Sequence, residues 1–252
     1  MDINIARAVE ILQSADNVIA LTGAGISTES GIPDFRSRGG LWQKYDPAEY
    51  ATIQAFHSDP EKVWLMLFDM VGLTRSAKPN PGHLALAELE RMDLLKCIVT
   101  QNVDNLHQEA GSVKVIEYHG NVSRLECLRC GAQYRDAEFS MDDVIRSATP
   151  PRCPDCKSIL KPTVVFFGEM IPHDAMVRSQ EAAQKADAVI VVGTSATVYP
   201  AAGIPLIAKQ NNAVIIEFNL ETTDLTRFAT DIFIQGQAGT TLPELVNQLK
   251  SS

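Results

Sequence analysis

The stretch that most constrains this chain is Val18-Ile-Ala-Leu-Thr-Gly-Ala-Gly-Ile-Ser27, a short apolar run that breaks into glycines. Val18 to Leu21 carries no polar side chain, as a strand covered on both faces of a parallel sheet requires. At Gly23, Ala24 and Gly25 no bulky side chain keeps a ligand from the backbone, and N–H groups entering a helix suit a phosphate. The same pattern also serves as a plain tight turn. The third glycine of a dinucleotide fingerprint is absent, with Ser27 and Thr28 in its place. Gly31-Ile-Pro-Asp-Phe-Arg36 follows, and Pro33 discourages the helix that an ordinary dehydrogenase would continue. This segment reads either as a surface loop with one aromatic anchor or as a loop folded over a ligand. In the second reading Phe35 screens a reactive carbon and Arg36 holds phosphate or the loop itself.

The rest of the chain alternates strand and helix signals. Ile5, Ala8, Val9 and Leu12 recur at helical spacing before the glycine strand. Asn80-Pro81 reads as a helix cap with proline at the first helical position, followed by an apolar stripe of Ala85, Leu86, Leu89 and Met92. Strands are expected at 96–100, 188–192, 213–218 and 232–234, and helices at 174–186, 201–210 and 242–250. This alternation predicts an α/β fold built on a doubly wound parallel sheet. Two stretches interrupt it: a helical one rich in Trp, Met and Phe from Ser37 to about Lys78, and a cysteine-bearing one from about Asn121 to Pro162.

Ligands of such sheets sit beyond the carboxyl ends of the strands. Thr22-Gly-Ala-Gly25, Thr100-Gln-Asn-Val-Asp104, Gly193-Thr-Ser195 and Asn219-Leu-Glu221 follow four of those ends, and are mainly small or polar. Asp104 can also be read as the cap of a helix starting near Asn105. His119-Gly120 closes the run from Val113 to Tyr118, on the same side. An imidazole there is either a structural partner or a base for a sugar hydroxyl. Val164 to Glu169 is a second apolar run, either a core strand or an edge to which a peptide adds.

Cys127-x-x-Cys130 and Cys153-x-x-Cys156, separated by twenty-two residues, supply two thiolate pairs. Two such knuckles make a closed tetrahedral Zn²⁺ site, which is structural; a redox dithiol is the rival reading. Cys97, alone in an apolar run, is expected to be a small core residue. The net charge of −9 argues against a broad nucleic-acid footprint. No apolar run approaches the eighteen or so residues of a membrane span, and no basic-then-apolar leader opens the chain. A soluble, cytoplasmic protein is therefore expected.

Taken together, these residues resemble the Sir2 family, the sirtuin NAD-dependent protein deacylases, in order along most of the chain. The resemblance implies a Rossmann-type domain (1–36, 79–120 and 164–252) and a small domain made of a helical module (37–78) and a zinc-ribbon module (121–163). NAD would be a co-substrate and zinc structural. Gly23, Ala24, Gly25, Ser27, Asp34, Phe35, Arg36, Gln101, Asn102 and Asp104 would serve the phosphates, nicotinamide and its ribose. Gly193, Thr194, Ser195, Asn219, Leu220, Glu221 and Ala238 would line the adenosine half. Val165, Phe167, Gly168, Glu169 and Val198 would flank an acyl-lysine peptide. His119 would be the catalytic base, assisted by Asn102 and Asp104. Leu67 and Met70 occupy the positions where members preferring acidic acyl groups carry Tyr and Arg, which implies acetyl or longer uncharged acyl groups. A mono-ADP-ribosyltransferase and a non-enzymatic NAD sensor are the alternatives.

Overall fold

The computed structural model describes residues 3–35 and 39–251, so Arg36 lies outside the described residues. β1 (Val18–Thr22) forms the middle of a six-stranded sheet, between β2 (Leu95–Thr100) and β7 (Ala188–Val192). β3 (Val115–Glu117) lies outside β2, and β8 (Val214–Asn219) and β9 (Ile232–Gln235) lie beyond β7. Every pairing is parallel, in the order β3-β2-β1-β7-β8-β9, so the winding reverses between β1 and β7. That gap is where a doubly wound sheet opens a crevice.

Alternate residues of each strand enter opposite cores, as the two-residue period of a strand demands. Ala20, Ile190 and Ile216 pack beneath the helices Ile3–Ser14, Pro81–Arg91 and Ala238–Ser251. Ile19, Val189 and Ile215 pack beneath His173–Lys185 and Ile204–Gln210. The stripe Ile5, Ala8, Val9 and Leu12 is buried as its spacing predicts. Asn80 caps its helix by accepting from Gly82 and His83 N–H, and the His83 ring accepts in return from Asn80 N–H.

A second, antiparallel sheet has the order β5-β4-β6, with β4 (Arg124–Glu126), β5 (Gln133–Arg135) and β6 (Lys161–Pro162). Its core is shared with the helical stretch: Trp64, Leu67 and Met70 of the helix Pro60–Ser76 pack with Leu125, Leu160 and Phe166. The buried Trp64 indole donates to Leu160 O at 2.9 Å.

Three segments differ from expectation. After the glycines the chain forms a 3-10 helix, Ala24–Ser30, ended by Gly31 at φ 86°. Residues 201–210 divide into a 3-10 turn, Ala201–Gly203, and the helix Ile204–Gln210. Val164 to Glu169 joins neither sheet. Its N–H groups at Val165 and Phe167 donate to His119 O and Ala51 O, at 2.9 and 2.8 Å, and it makes one bridge to Thr52. The ladder of the small sheet reaches Thr163, whose N–H donates to Arg124 O at 2.8 Å, and further on Gly168 at φ 87° turns the chain.

Gly120, at φ 75°, fixes how His119 meets this segment, since a Cβ there would stand 1.9 Å from Thr163 O. Gly120→Ala is expected to lose about 2–4 kcal/mol of stability, from left-handed strain plus overpacking. Urea unfolding measures it, and an unchanged midpoint would mean that this turn relaxes freely.

Candidate active site and four-cysteine centre

The crevice is built around a contact between two backbones. Gly23 N–H donates to Val192 O at 3.0 Å and Gly25 N–H to Gly193 O at 2.8 Å. A Cβ on Gly25 would lie 2.7 Å from Gly193 O, and one on Gly193 would lie 2.4 Å from Ile26 N. These two glycine N–H groups therefore face the neighbouring strand end, and not a phosphate as the sequence suggested. Their glycines are required by close approach.

Polar side chains stitch the strand ends together. Gln101 Nε2 donates to Thr194 Oγ1 at 3.0 Å, Asn219 Nδ2 to Thr194 O at 3.0 Å, and Gly236 N–H to Asn219 O at 3.0 Å. Asn102 Nδ2 donates to Gly23 O at 3.2 Å and Ser27 Oγ at 3.1 Å. Ser27 Oγ in turn donates to Asp104 Oδ2 at 2.7 Å, while Leu106 N–H donates to Asp104 Oδ1 at 3.0 Å. Asp104 is thus both the helix cap and part of the crevice. Burial pushes its carboxyl pKa up, and the Leu106 and Ser27 bonds pull it back. Apolar Ala24, Ile32, Pro33, Phe35 and Met70 line one cleft together with polar Ser27, Gln101, Asn102 and Asp104. Such a cleft suits a flat ring bearing a polar substituent.

His119 follows β3 and is half-buried. Its Nδ1 lies 3.1 Å from Gln101 O, which can only accept, so Nδ1 carries the proton and Nε2 is left basic. Burial lowers its pKa below 6.5, with the Gln101 carbonyl pulling upward, so the ring is neutral at pH 7. Phe35 packs on Trp42 at 5.0 Å and Trp42 on Phe167 at 6.4 Å, linking the loop after the glycines to the apolar segment.

The remaining residues singled out from sequence are spread along this rim. Asp34 O accepts from Leu41 N–H at 3.0 Å. Ser195, Leu220 and Glu221 are exposed, Val165 and Val198 are half-buried, and Ala238 is buried against Gly82. Phe167 and Gly168 are exposed, whereas the Glu169 carboxylate turns inward to accept from Phe166 N–H at 2.7 Å. Leu67 and Met70 are buried and apolar, so that part of the helix carries no cation.

Sequence reasoning missed Trp42, His83 and His107. His83 Nε2 approaches Ser27 Oγ at 3.4 Å and His107 Nε2 approaches Thr22 Oγ1 at 2.9 Å, with the two rings 5.0 Å apart. Burial lowers His83 to about 4; burial, then the neighbouring His83, lowers His107 to about 3. Each stood in the sequence as a lone histidine, and only the Asn80 cap hinted that His83 points inward.

The four cysteines converge, with all four sulfur atoms within 4.8 Å of one another. Cys127 and Cys156 Sγ are 3.4 Å apart, and Cys130 and Cys153 Sγ 3.6 Å apart. Tetrahedral Zn–S bonds of about 2.3 Å place sulfurs roughly 3.8 Å apart, so the cluster fits zinc with no ligand position left open. The Tyr134 hydroxyl reaches Cys153 Sγ at 3.3 Å and lowers that thiol's pKa, favouring the thiolate a metal needs.

A doubly wound sheet with a polar crevice at its switch point, joined to a four-thiolate module, defines a dinucleotide-binding architecture. The Sir2 family model matches residues 23–200. A Pyrococcus furiosus protein named NAD-dependent protein deacylase is 48% identical over 248 residues, covering 98% of both chains. A solved Sir2 enzyme structure superposes with TM-score 0.92 at 44% identity, covering 100% of this chain and 99% of that one. A Sir2–p53 peptide–NAD⁺ structure gives TM-score 0.89 at 35% identity, covering 98% and 99%. The chain belongs to the Sir2 family. Among the described residues no helix is long and apolar enough to cross a membrane.

His83 and His107 stay neutral in the fold but protonate near pH 6.5 when unfolded, so stability is held above that pH and lost as pH falls toward about 4 and 3. At pH 5 each removes about 2 kcal/mol relative to pH 8. Thermal melts of wild type and His107→Gln test this: the variant's melting temperature should fall less between pH 8 and pH 5, and parallel curves would refute it.

Proposed function

We propose that this protein is an NAD⁺-dependent protein-lysine deacetylase that moves the acetyl group of acetyl-lysine onto ADP-ribose, releasing nicotinamide and 2′-O-acetyl-ADP-ribose. One observation carries the reading. Val165 N–H donates to His119 O at 2.9 Å, so the segment suited to a peptide lies directly beside the residue whose Nε2 is free to take a proton. The P. furiosus relative and the peptide–NAD⁺ neighbour support the same assignment.

In this reading Gln101, Asn102 and Asp104 hold nicotinamide and its ribose, with Ala24, Ser27, Asp34 and Arg36 toward the phosphates, while Gly23 and Gly25 serve the same site by letting the Gly193 turn pack close. Gly193, Thr194, Ser195, Asn219, Leu220, Glu221 and Ala238 take the adenosine half. Bound NAD⁺ supplies the ribose carbon to which the acyl oxygen adds as nicotinamide leaves. Phe35, held against Trp42, excludes water from that carbon. Neutral His119 accepts the proton of the ribose hydroxyl, freeing it to take the acyl group. Val165, Phe167, Gly168, Glu169 and Val198 hold the peptide between a Rossmann-type domain and a small domain of residues 37–78 and 121–163. The apolar Leu67 and Met70 favour acetyl or longer uncharged acyl groups over succinyl.

Mass spectrometry of an acetyl-lysine peptide incubated with and without NAD⁺ tests the reaction. Acetyl loss matched by nicotinamide and acetyl-ADP-ribose is expected, with succinyl-lysine turned over far more slowly. A peptide that gains ADP-ribose would establish a transferase, and NAD⁺ binding without chemistry a sensor.

His119→Ala should lower kcat by about 10²–10⁴. Since the base must be neutral and its pKa lies below 6.5, the wild-type rate should fall only as pH drops below 6.5. An acid limb centred above that value would remove His119 from the role.

A further inference from the structure

Lys161 is 1% exposed, an extreme burial for a lysine. Its ammonium donates to Val164 O at 2.8 Å, Pro162 O at 3.2 Å and Glu126 Oε1 at 3.2 Å, and pairs with Glu169 Oε2 at 3.0 Å. The Phe166 ring lies 4.8 Å below it. These partners stand on two sides of a junction. Glu126 ends β4, pairs in register with Lys161 and directly precedes Cys127. Val164, Phe166 and Glu169 belong to the extended segment whose Val165 N–H is held by His119 O.

A buried ammonium is tolerated only when its hydrogens all find oxygens, so the partners on both sides must keep their places together. Glu169 closes the arrangement. The same Oε2 that meets Lys161 accepts from Phe166 N–H at 2.7 Å, locking the turn at Gly168. Nothing else on this face joins the four-cysteine module to that segment through a charge, among the described residues.

We propose that Lys161 is a positioning residue that ties Val164–Glu169 to the four-cysteine module and so sets the shape of the peptide-holding edge beside His119. This rests on reading that segment as the peptide site. Lys161 itself is enclosed and touches no substrate. Its influence passes through Val164 O and the Glu169 carboxylate.

Hydrogen exchange and steady-state kinetics on Lys161→Met and Glu169→Gln test this, with metal content measured on the same samples. In Lys161→Met, amide exchange at Val165 and Phe167 should quicken at least about tenfold, while residues 127–156 and the zinc content stay as in wild type. The peptide KM should rise about tenfold and the NAD⁺ KM change less than about twofold. Glu169→Gln, which loosens only the segment side, should show the same pattern more weakly. If Lys161→Met does not fold, exchange at Val165 and Phe167 in Glu169→Gln decides, because Glu169 is itself assigned to the peptide edge and its KM would move for either reason. Unchanged exchange at 165–167, or a loss spread evenly over the small sheet and both KM values, would overturn the proposal. Absence of turnover in the wild type would instead sink the deacetylase reading, while exchange would still decide whether Lys161 positions the segment.

Discussion

The contact between Gly25 and Gly193 is the constraint on which the rest depends. Two adjacent parallel strands leave the sheet at the point where the winding reverses, and their following turns touch with no side chain between them. Adding one carbon to either turn would force the strands apart at their carboxyl ends. Because β1 is central, that displacement would propagate to β2 on one side and β7 on the other. The crest of hydrogen bonds through Gln101, Thr194 and Asn219 spans the same ends, so the crevice floor and the sheet's centre are one structure.

Below the crest lies an unusual density of buried polar groups for a core. Thr22, Thr100, Ser27, Asn102, Asp104, His83 and His107 are all buried and bonded to one another in short chains. A buried polar network whose members are bonded to one another holds its side chains in one arrangement, at a cost that an aliphatic core would not carry. The direction of the bonds is informative. His83 accepts at Nδ1 from Asn80 N–H, which leaves Nε2–H to donate to Ser27, and the Ser27 hydroxyl donates its hydrogen bond to Asp104. Each donor in that sequence has one acceptor, which fixes the orientation of the Asp104 carboxylate.

Much of this was legible in the residues, and for physical reasons. Buried parallel strands show as uninterrupted apolar runs, and Ala188–Val192 matches its expected bounds; the helix cap at Asn80 and the paired cysteines were equally local signals. What escaped was set by tertiary contact. The inward-facing His83 and His107 had no neighbours in sequence to announce them. The N–H groups of Gly23 and Gly25 could not be assigned until the position of Gly193 was known. Val164 to Glu169 has the composition of a strand, yet its partners are the carbonyls of His119 and Ala51, both far off in sequence. Composition reports that a segment is extended; only the surrounding fold decides what it pairs with.

The hydrogen bond from the Trp64 indole to the Leu160 carbonyl joins residues 96 positions apart, within a core whose two halves come from widely separated stretches. A ribosome adds about 5–20 residues per second. The helix Pro60–Ser76 must therefore wait roughly 5–20 seconds after its own synthesis before the surface it packs against exists. During that interval its apolar face, with Trp64 at the centre, is open to whatever else is in the cell. Until Leu160 emerges, that face is open to capture by chaperones or by other copies of the chain.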